Sequence, residues 1–134
     1  MSNSHYQDVL NFHKKFGVPL APKPTLLQGD ELAFRIKFLQ EELDEFKKAH
    51  DECNLEDAID ALIDLVYVAH GSAQFMGIST EQWDAHWSEV QECNMNKERV
   101  ESADDSKRGY KFDIKKPTNW VGPNHTPIIE KFSN

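Results

Sequence analysis

Cysteine is scarce in this chain. Cys53 and Cys93 are the only two in 134 residues, and no Cys-x-x-Cys or Cys/His spacing accompanies them. That argues against a disulfide framework and a thiolate zinc site, and two reduced thiols in a cytosolic protein are the expectation. An N-terminal apolar stretch of signal-peptide type is also missing, as is any apolar run long enough to span a bilayer. We therefore expect a cytoplasmic protein that does not engage a membrane. Basic residues are outnumbered, 15 Lys and Arg against 23 acids, for a formal net charge of −8. That balance argues against a broad nucleic-acid surface, and no nucleic-acid partner is expected. No stretch before Asn96 alternates with period two, so no sheet is expected there, and there is neither an internal repeat nor a low-complexity tract.

What is present is helical periodicity, on a chain long enough to bury a core as one domain, 1–134. Ser4-His-Tyr-Gln7 has the form of a capping box and opens a short helix with Tyr6, Val9, Leu10, His13 and Phe16 along one side. Gly17 and Pro19 end it, and Pro22, Pro24 and Gly29 mark residues 17–29 as an extended connector. Asp30 is expected to cap a long helix to about Ala49, and Asn54 another to about Met76, closed by Gly77. Ser79-Thr-Glu-Gln82 starts a fourth helix, with Trp83, His86, Trp87 and Val90, to about Asn96. Residues 97–134 lose helical periodicity. Residues 97–117 hold seven bases and five acids, and Pro117, Gly122, Pro123 and Pro127 are expected to keep the end irregular. The fold class expected is all-α, a bundle of four to five helices with an irregular basic C-terminal segment.

The charge is concentrated. Between Glu41 and Asp64 lie ten acids (Glu41, Glu42, Asp44, Glu45, Asp51, Glu52, Glu56, Asp57, Asp60, Asp64) against Lys47 and Lys48, and the remainder is balanced, thirteen against thirteen. At about 100° per residue, Leu32, Ile36, Leu39, Leu43 and Phe46 form the expected core stripe of the second helix. Lys37, Gln40, Asp44 and Lys48 form its solvated arc. Glu41, Glu42 and Glu45 share a third arc with Phe34 and Phe38. On the third helix, otherwise almost wholly apolar, Asp57, Asp60 and Asp64 lie within about 60° of one another. Asp64 is flanked by Leu62, Ile63, Leu65 and Val66.

An unpaired aspartate in such surroundings costs several kcal/mol or becomes protonated, and clustered carboxylates repel one another unless a cation neutralises them. A solvated acidic stripe is the ordinary alternative for the glutamates. A buried salt bridge to Arg35 or Lys37 is the alternative for the aspartates, and helix capping accounts for Asp57. His70 reads more simply as a hydrogen-bonded core residue than as a ligand. Two antiparallel helices joined at residues 50–54 bring the glutamate arc against the aspartates. Their oxygen-only ligand set suits Mg²⁺ or Mn²⁺ rather than zinc or copper. The Glu-x-x-His pairs of a di-iron bundle are absent.

The ordered set Glu41-Glu-Leu-Asp-Glu45 and Asp60-Ala-Leu-Ile-Asp64-Leu-Val-Tyr-Val resembles the all-α nucleoside triphosphate pyrophosphatase superfamily. This superfamily includes MazG, the dimeric dUTPases and the phosphoribosyl-ATP pyrophosphohydrolases. Residues Phe12 to Pro19, Tyr67 to Ile78, Cys93-Asn-Met-Asn-Lys97 and Lys111 to Pro117 extend the resemblance to small phage and bacterial MazG-like proteins. It implies that Glu42, Glu45 and Asp64 bind Mg²⁺ and that Glu41 orients or deprotonates the attacking water. Many members carry Glu-x-x-Asp on the later helix. Here Ala61 stands three before Asp64, and Asp60, four before it, flanks the same face and is the substitute ligand. Asp57-x-x-Asp60 is a second register of correct spacing.

The reaction implied is hydrolysis of the α–β phosphate linkage of an NTP or dNTP to a monophosphate and pyrophosphate, by a homodimer or homotetramer. The location implied is cytoplasmic, in the host if the chain is phage-encoded. Carboxylates supply no positive charge for the phosphates, so Lys97, Lys111, Lys115 and Lys116 are candidate phosphate contacts, and Asn94 is a candidate base or sugar contact. Two rival readings stay open: a catalytically silent nucleotide-binding or regulatory protein of the same fold, which Ala61 permits, and a purely structural helical assembly.

Overall fold

A computed structural model describes residues 4–134. Its fold is all-α, with helices α1 (His5–Lys15), α2 (Gly29–Asp51), α3 (Leu55–Phe75), α4 (Thr80–Met95) and α5 (Thr126–Phe132). Two-residue strands β1 (Glu98–Arg99) and β2 (Ile114–Lys115) pair antiparallel, Glu98 opposite Lys115. The chain forms two compact units, the first running through Thr80 and including Phe132–Asn134, the second Glu81–Lys131. Among the described residues no single helix is long and apolar enough to cross a membrane.

The first unit is built on α2 packed against α3, with α1 on α3. Ser4 caps α1 by accepting from the Gln7 N–H at 3.0 Å, and Asn54 caps α3 by accepting from the Asp57 N–H at 3.0 Å. Each satisfies a backbone donor that the first helical turn leaves unpaired. Asp30 does not cap α2. Gln28 is the extended residue before that helix and Gly29 already belongs to it, so Asp30 lies in the first turn. There its charge complements the positive end of the helix.

The buried line of α2 is Arg35, Glu42 and Ala49, seven residues apart and therefore on one face. On α3 the small residues Ala58, Ala61, Gly71 and Ala73 are buried, together with Val68, His70 and Gln74. The stripe expected to face the core is instead open: Leu32, Ile36 and Leu43 are exposed, and Leu39 and Phe46 are half-buried. The polar line wins because Arg35 has a prepared seat. Its Nε donates to Ser72 Oγ at 3.0 Å and its Nη2 to the Val68 carbonyl at 2.9 Å. The guanidinium lies over the rings of Phe34, Phe38 and Phe75, nearest Phe75 at 4.5 Å. Gly71 makes room, since a Cβ there would stand 2.8 Å from Nη2.

The α1–α3 contact is polar as well. Gln74 Oε1 accepts from His13 Nδ1–H at 2.8 Å, and its Nε2 donates to the Tyr6 carbonyl at 2.8 Å. The Tyr6 hydroxyl donates to the Ile78 carbonyl at 2.6 Å, and its ring meets His70 edge-on. His70 is thus a buried core residue. The connector after α1 is pinned to the end of α3 by Thr25 N–H donating to the Met76 carbonyl at 2.9 Å.

In the second unit the Trp120 indole N–H donates to the Cys93 carbonyl at 2.7 Å, and Val100 is buried. The end of the chain is less irregular than its prolines suggest. Pro127 falls in the first turn of α5, where the missing N–H breaks no helical bond.

Gly77 tests the seat of the connector. Its φ is +79°, and a Cβ would lie 2.3 Å from the Lys23 carbonyl oxygen. Gly77→Ala is expected to lower the urea-unfolding free energy by about 3 kcal/mol or more, backbone strain and clash together. Gly17→Ala, also at positive φ but with nothing within 4 Å, should cost about 1 kcal/mol.

Candidate active site

Glu42 and Glu45, one turn apart on α2, meet Asp60 and Asp64, one turn apart on α3. Glu42 is 8 % exposed, and its Oε2 is buried with no hydrogen-bond partner among the described residues. Burial, then the charges of Glu45 and Asp64, a hydrogen bond with Glu45 and the charge of Asp60 push its carboxyl up to about 7. Asp64 is half-buried, and its carboxyl is raised by burial, by the charges of Asp60 and Glu45, and by a hydrogen bond with Asp60. The charges of Glu45 and Asp60 thus bear on Glu42 and Asp64 at the α2–α3 seam. No salt bridge joins Asp60 or Asp64 to Arg35 or Lys37 among the described residues, and Arg35 is engaged by Ser72 and Val68.

Beside this group Glu45, Lys48, Ala49, Glu52, Asp57 and Asp60 line a recess of about 270 Å³. Lys48 therefore lines the site instead of belonging only to a solvated arc. Glu52 is a site residue that the reading of the sequence did not single out. Its signal was available, for it stands seven residues after Glu45 and so shares that face. Asp57 is engaged by the α3 cap, where Asn54 Nδ2 donates to its Oδ2 at 2.8 Å.

Glu41 is exposed and lines a different, shallower hollow with Ala33, Ile36, Lys37, Gln40 and Asp44. Asn94, Lys97, Lys111 and Lys115 lie in the second unit. There Lys115 is bonded to Asp105 at 2.7 Å and lies 3.8 Å from Glu98. Lys97 lies over the Trp120 ring and Lys111 over the Phe112 ring.

The donor set fits a hard divalent cation in kind. It is oxygen only, it is negatively charged, and it includes a buried acceptor with no proton donor. As placed, no three His, Cys, Asp or Glu side chains among the described residues are gathered closely enough to hold an ion. Side-chain rotation would have to complete a coordination shell.

The sequence model of the phosphoribosyl-ATP pyrophosphohydrolase family matches residues 9–94, α1 through most of α4, and the chain belongs to that family. The family, within the MazG-like all-α NTP pyrophosphatase superfamily, consists of hydrolases acting on phosphoric anhydrides and generally uses a divalent metal. A curated relative, the uncharacterized protein L479 of Acanthamoeba polyphaga mimivirus, is 33 % identical over 85 residues, which is 58 % of this chain and 33 % of that protein. The chain thus spans about a third of the length of the curated relative it matches.

The raised Glu42 carboxyl has a pH signature. A group whose ordinary value is 4.5 and whose folded value is about 7 holds its proton more tightly in the folded state. Its stabilisation is present in full below pH 4.5 and is lost as pH rises through 7. His13, His70 and His86 are lowered, chiefly by burial, and act in the opposite direction. In chelator, wild-type stability minus that of Glu42→Gln should therefore fall between pH 5 and 7.5, because the histidine contributions cancel. A flat difference would show that Glu42 ionises without hindrance.

Proposed function

We propose that this protein is an Mg²⁺- or Mn²⁺-dependent nucleotide pyrophosphohydrolase that hydrolyses the α–β linkage of an NTP or dNTP to NMP and pyrophosphate. The observation that carries the reading is the partnerless Glu42 Oε2 among Glu45, Asp60 and Asp64 in a chain of this family. Glu42, Glu45, Asp60 and Asp64 would hold the metal. When bound it supplies charge neutralisation at the phosphates and polarises the water. Glu41, on the neighbouring arc of α2, is the proposed residue that orients or deprotonates that water. Asn94, Lys97, Lys111 and Lys115 are proposed substrate contacts, because the carboxylates offer the phosphates no positive side chain. A cytoplasmic setting goes with this reading, where Cys53 and Cys93 remain reduced thiols.

The open apolar faces support a second element of the proposal, a homodimer or homotetramer. Leu32, Ile36 and Leu43 on α2 and Ile59, Leu62, Ile63 and Val66 on α3 are all exposed. Contiguous apolar surface of that kind marks association, and a symmetric copy covers like with like. Sedimentation at micromolar concentration should show no folded monomer; a stable monomer would refute the assembly.

Two measurements test the centre. Mg²⁺ or Mn²⁺ should raise the thermal midpoint, since a ligand of the native state stabilises it by mass action. Glu45→Gln and Asp64→Asn should each weaken that response. Asp44→Asn should not, because exposed Asp44 is bonded to Gln40 at 2.8 Å outside the cluster.

In turnover assays Glu41→Gln, Glu42→Gln, Glu45→Gln and Asp64→Asn should each lower kcat about a hundredfold or more. Chromatography should resolve NMP and pyrophosphate. NDP with orthophosphate would mean attack at the γ phosphate and would end this reading. Ala61, buried where many relatives carry glutamate, favours one other reading, a silent nucleotide-binding protein. Metal-dependent binding without any turnover would select it.

A further inference from the structure

The second unit holds a basic recess of about 410 Å³ lined by Lys97, Lys107, Arg108, Lys115 and Lys116 with Asp105, Asp113 and Ile114. Its size falls within the range of small-molecule sites, about 300–1,000 Å³. The charges in its wall are of two kinds. Arg108 is bonded to Asp113 at 2.7 Å, and Ser106 Oγ donates to the same carboxylate at 2.6 Å. These bonds hold the Asp113 carboxyl well below the usual range, so that pair stays ionised and closed. Lys115 is paired with Asp105 at 2.7 Å. Both pairs brace the turn around the β1–β2 ladder.

Lys97, Lys107 and Lys116 have no ion-pair partner among the described residues. The ammonium groups of Lys97 and Lys116 both lie over the Trp120 indole, at 5.1 and 5.2 Å from its centre. A ring face anchors a cation without neutralising it. The indole is itself fixed by its N–H bond to the Cys93 carbonyl at 2.7 Å. The recess therefore presents two cations held over a ring and a third, Lys107, that is exposed, in a chain whose net charge is −8.

We propose that this recess is a polyphosphate-binding site in which Lys97, Lys107 and Lys116 take two linked phosphoryl groups. One phosphate group carries about −1.5 to −2 charges, so three unpaired cations match a diphosphate better than a single phosphate. A wall of internal ion pairs disfavours long nucleic acid, which needs an extended basic track. Lys111, over the Phe112 ring, is outside the recess. The site rests on the proposed nucleotide chemistry only for its choice of ligand. Inorganic pyrophosphate and the phosphate tail of a nucleotide share the chemistry it reads.

The test uses the full chain in chelator, so that no turnover occurs. Inorganic pyrophosphate, a nucleoside triphosphate, the bare nucleoside and a short oligonucleotide are titrated while the Trp120 indole N–H resonance is followed. Pyrophosphate and the triphosphate should both shift it, compete with each other and weaken as salt rises. The nucleoside should not shift it.

Lys97→Gln, Lys107→Gln and Lys116→Gln should each weaken pyrophosphate about tenfold, the loss of one charge-assisted contact. Lys47→Gln, which removes a cation paired with Asp51 outside the recess, should leave it unchanged. No pyrophosphate binding, equal loss in Lys47→Gln, or tighter binding of the oligonucleotide would overturn the proposal. Because these readouts need neither metal nor turnover, they can fail while the hydrolase reading stands, and the reverse holds as well.

Discussion

A carboxylate removed from water and placed among other carboxylates sets the terms for the first unit. Glu42 lies on the face that α2 turns towards α3, where hydrophobic burial alone would favour a leucine. The helices still approach closely because the residues around it are small, Ala49 on one side and Ala58 and Ala61 on the other. The seam therefore trades apolar volume for charge. Its repulsion is held in place by the packing of Arg35, Val68 and the α1 contact rather than relieved by a neighbouring cation.

Arg35 shows how this is maintained. A buried guanidinium one helical stretch from four carboxylates would be expected to neutralise them. Its donors go instead to Ser72 and the Val68 carbonyl, and its faces to three phenyl rings. Gly71 leaves the space this requires. The arginine is a structural cation whose hydrogen bonds go to Ser72 and Val68 and not to the acids. Replacing Gly71 with any larger residue would disturb the acids indirectly, by dislodging the group that avoids them.

Much of the fold was legible in the sequence because capping is local. Ser4 and Asn54 bond to backbone three residues on, and the starts of α1 and α3 follow from such signals. The meeting of Glu42, Glu45, Asp60 and Asp64 was legible because helical geometry fixes which acids share a face. The core face of α2 was not. Apolar periodicity marks a surface that needs cover, but it does not say whether the cover comes from the same chain. Here Leu32, Ile36 and Leu43 remain open while Arg35 and Glu42 are buried. The salt-bridge alternative for Asp60 and Asp64 was not decided by the sequence, since the partners of Arg35 lie 33 and 37 residues away. Pro127 misled because proline breaks a helix interior yet suits a first turn.

The hairpin geometry of α2 and α3 bears on how the molecule is made. The turn between them spans three residues, and the Asn54 N–H donates to the Ala49 carbonyl at 2.8 Å across it. Contacts of such short sequence separation form early, before distant segments are in place. The acids are therefore drawn together while the chain is still folding, and their mutual repulsion opposes the step that brings them together. Slower closure of the hairpin prolongs the interval in which the apolar faces of both helices are open to aggregation.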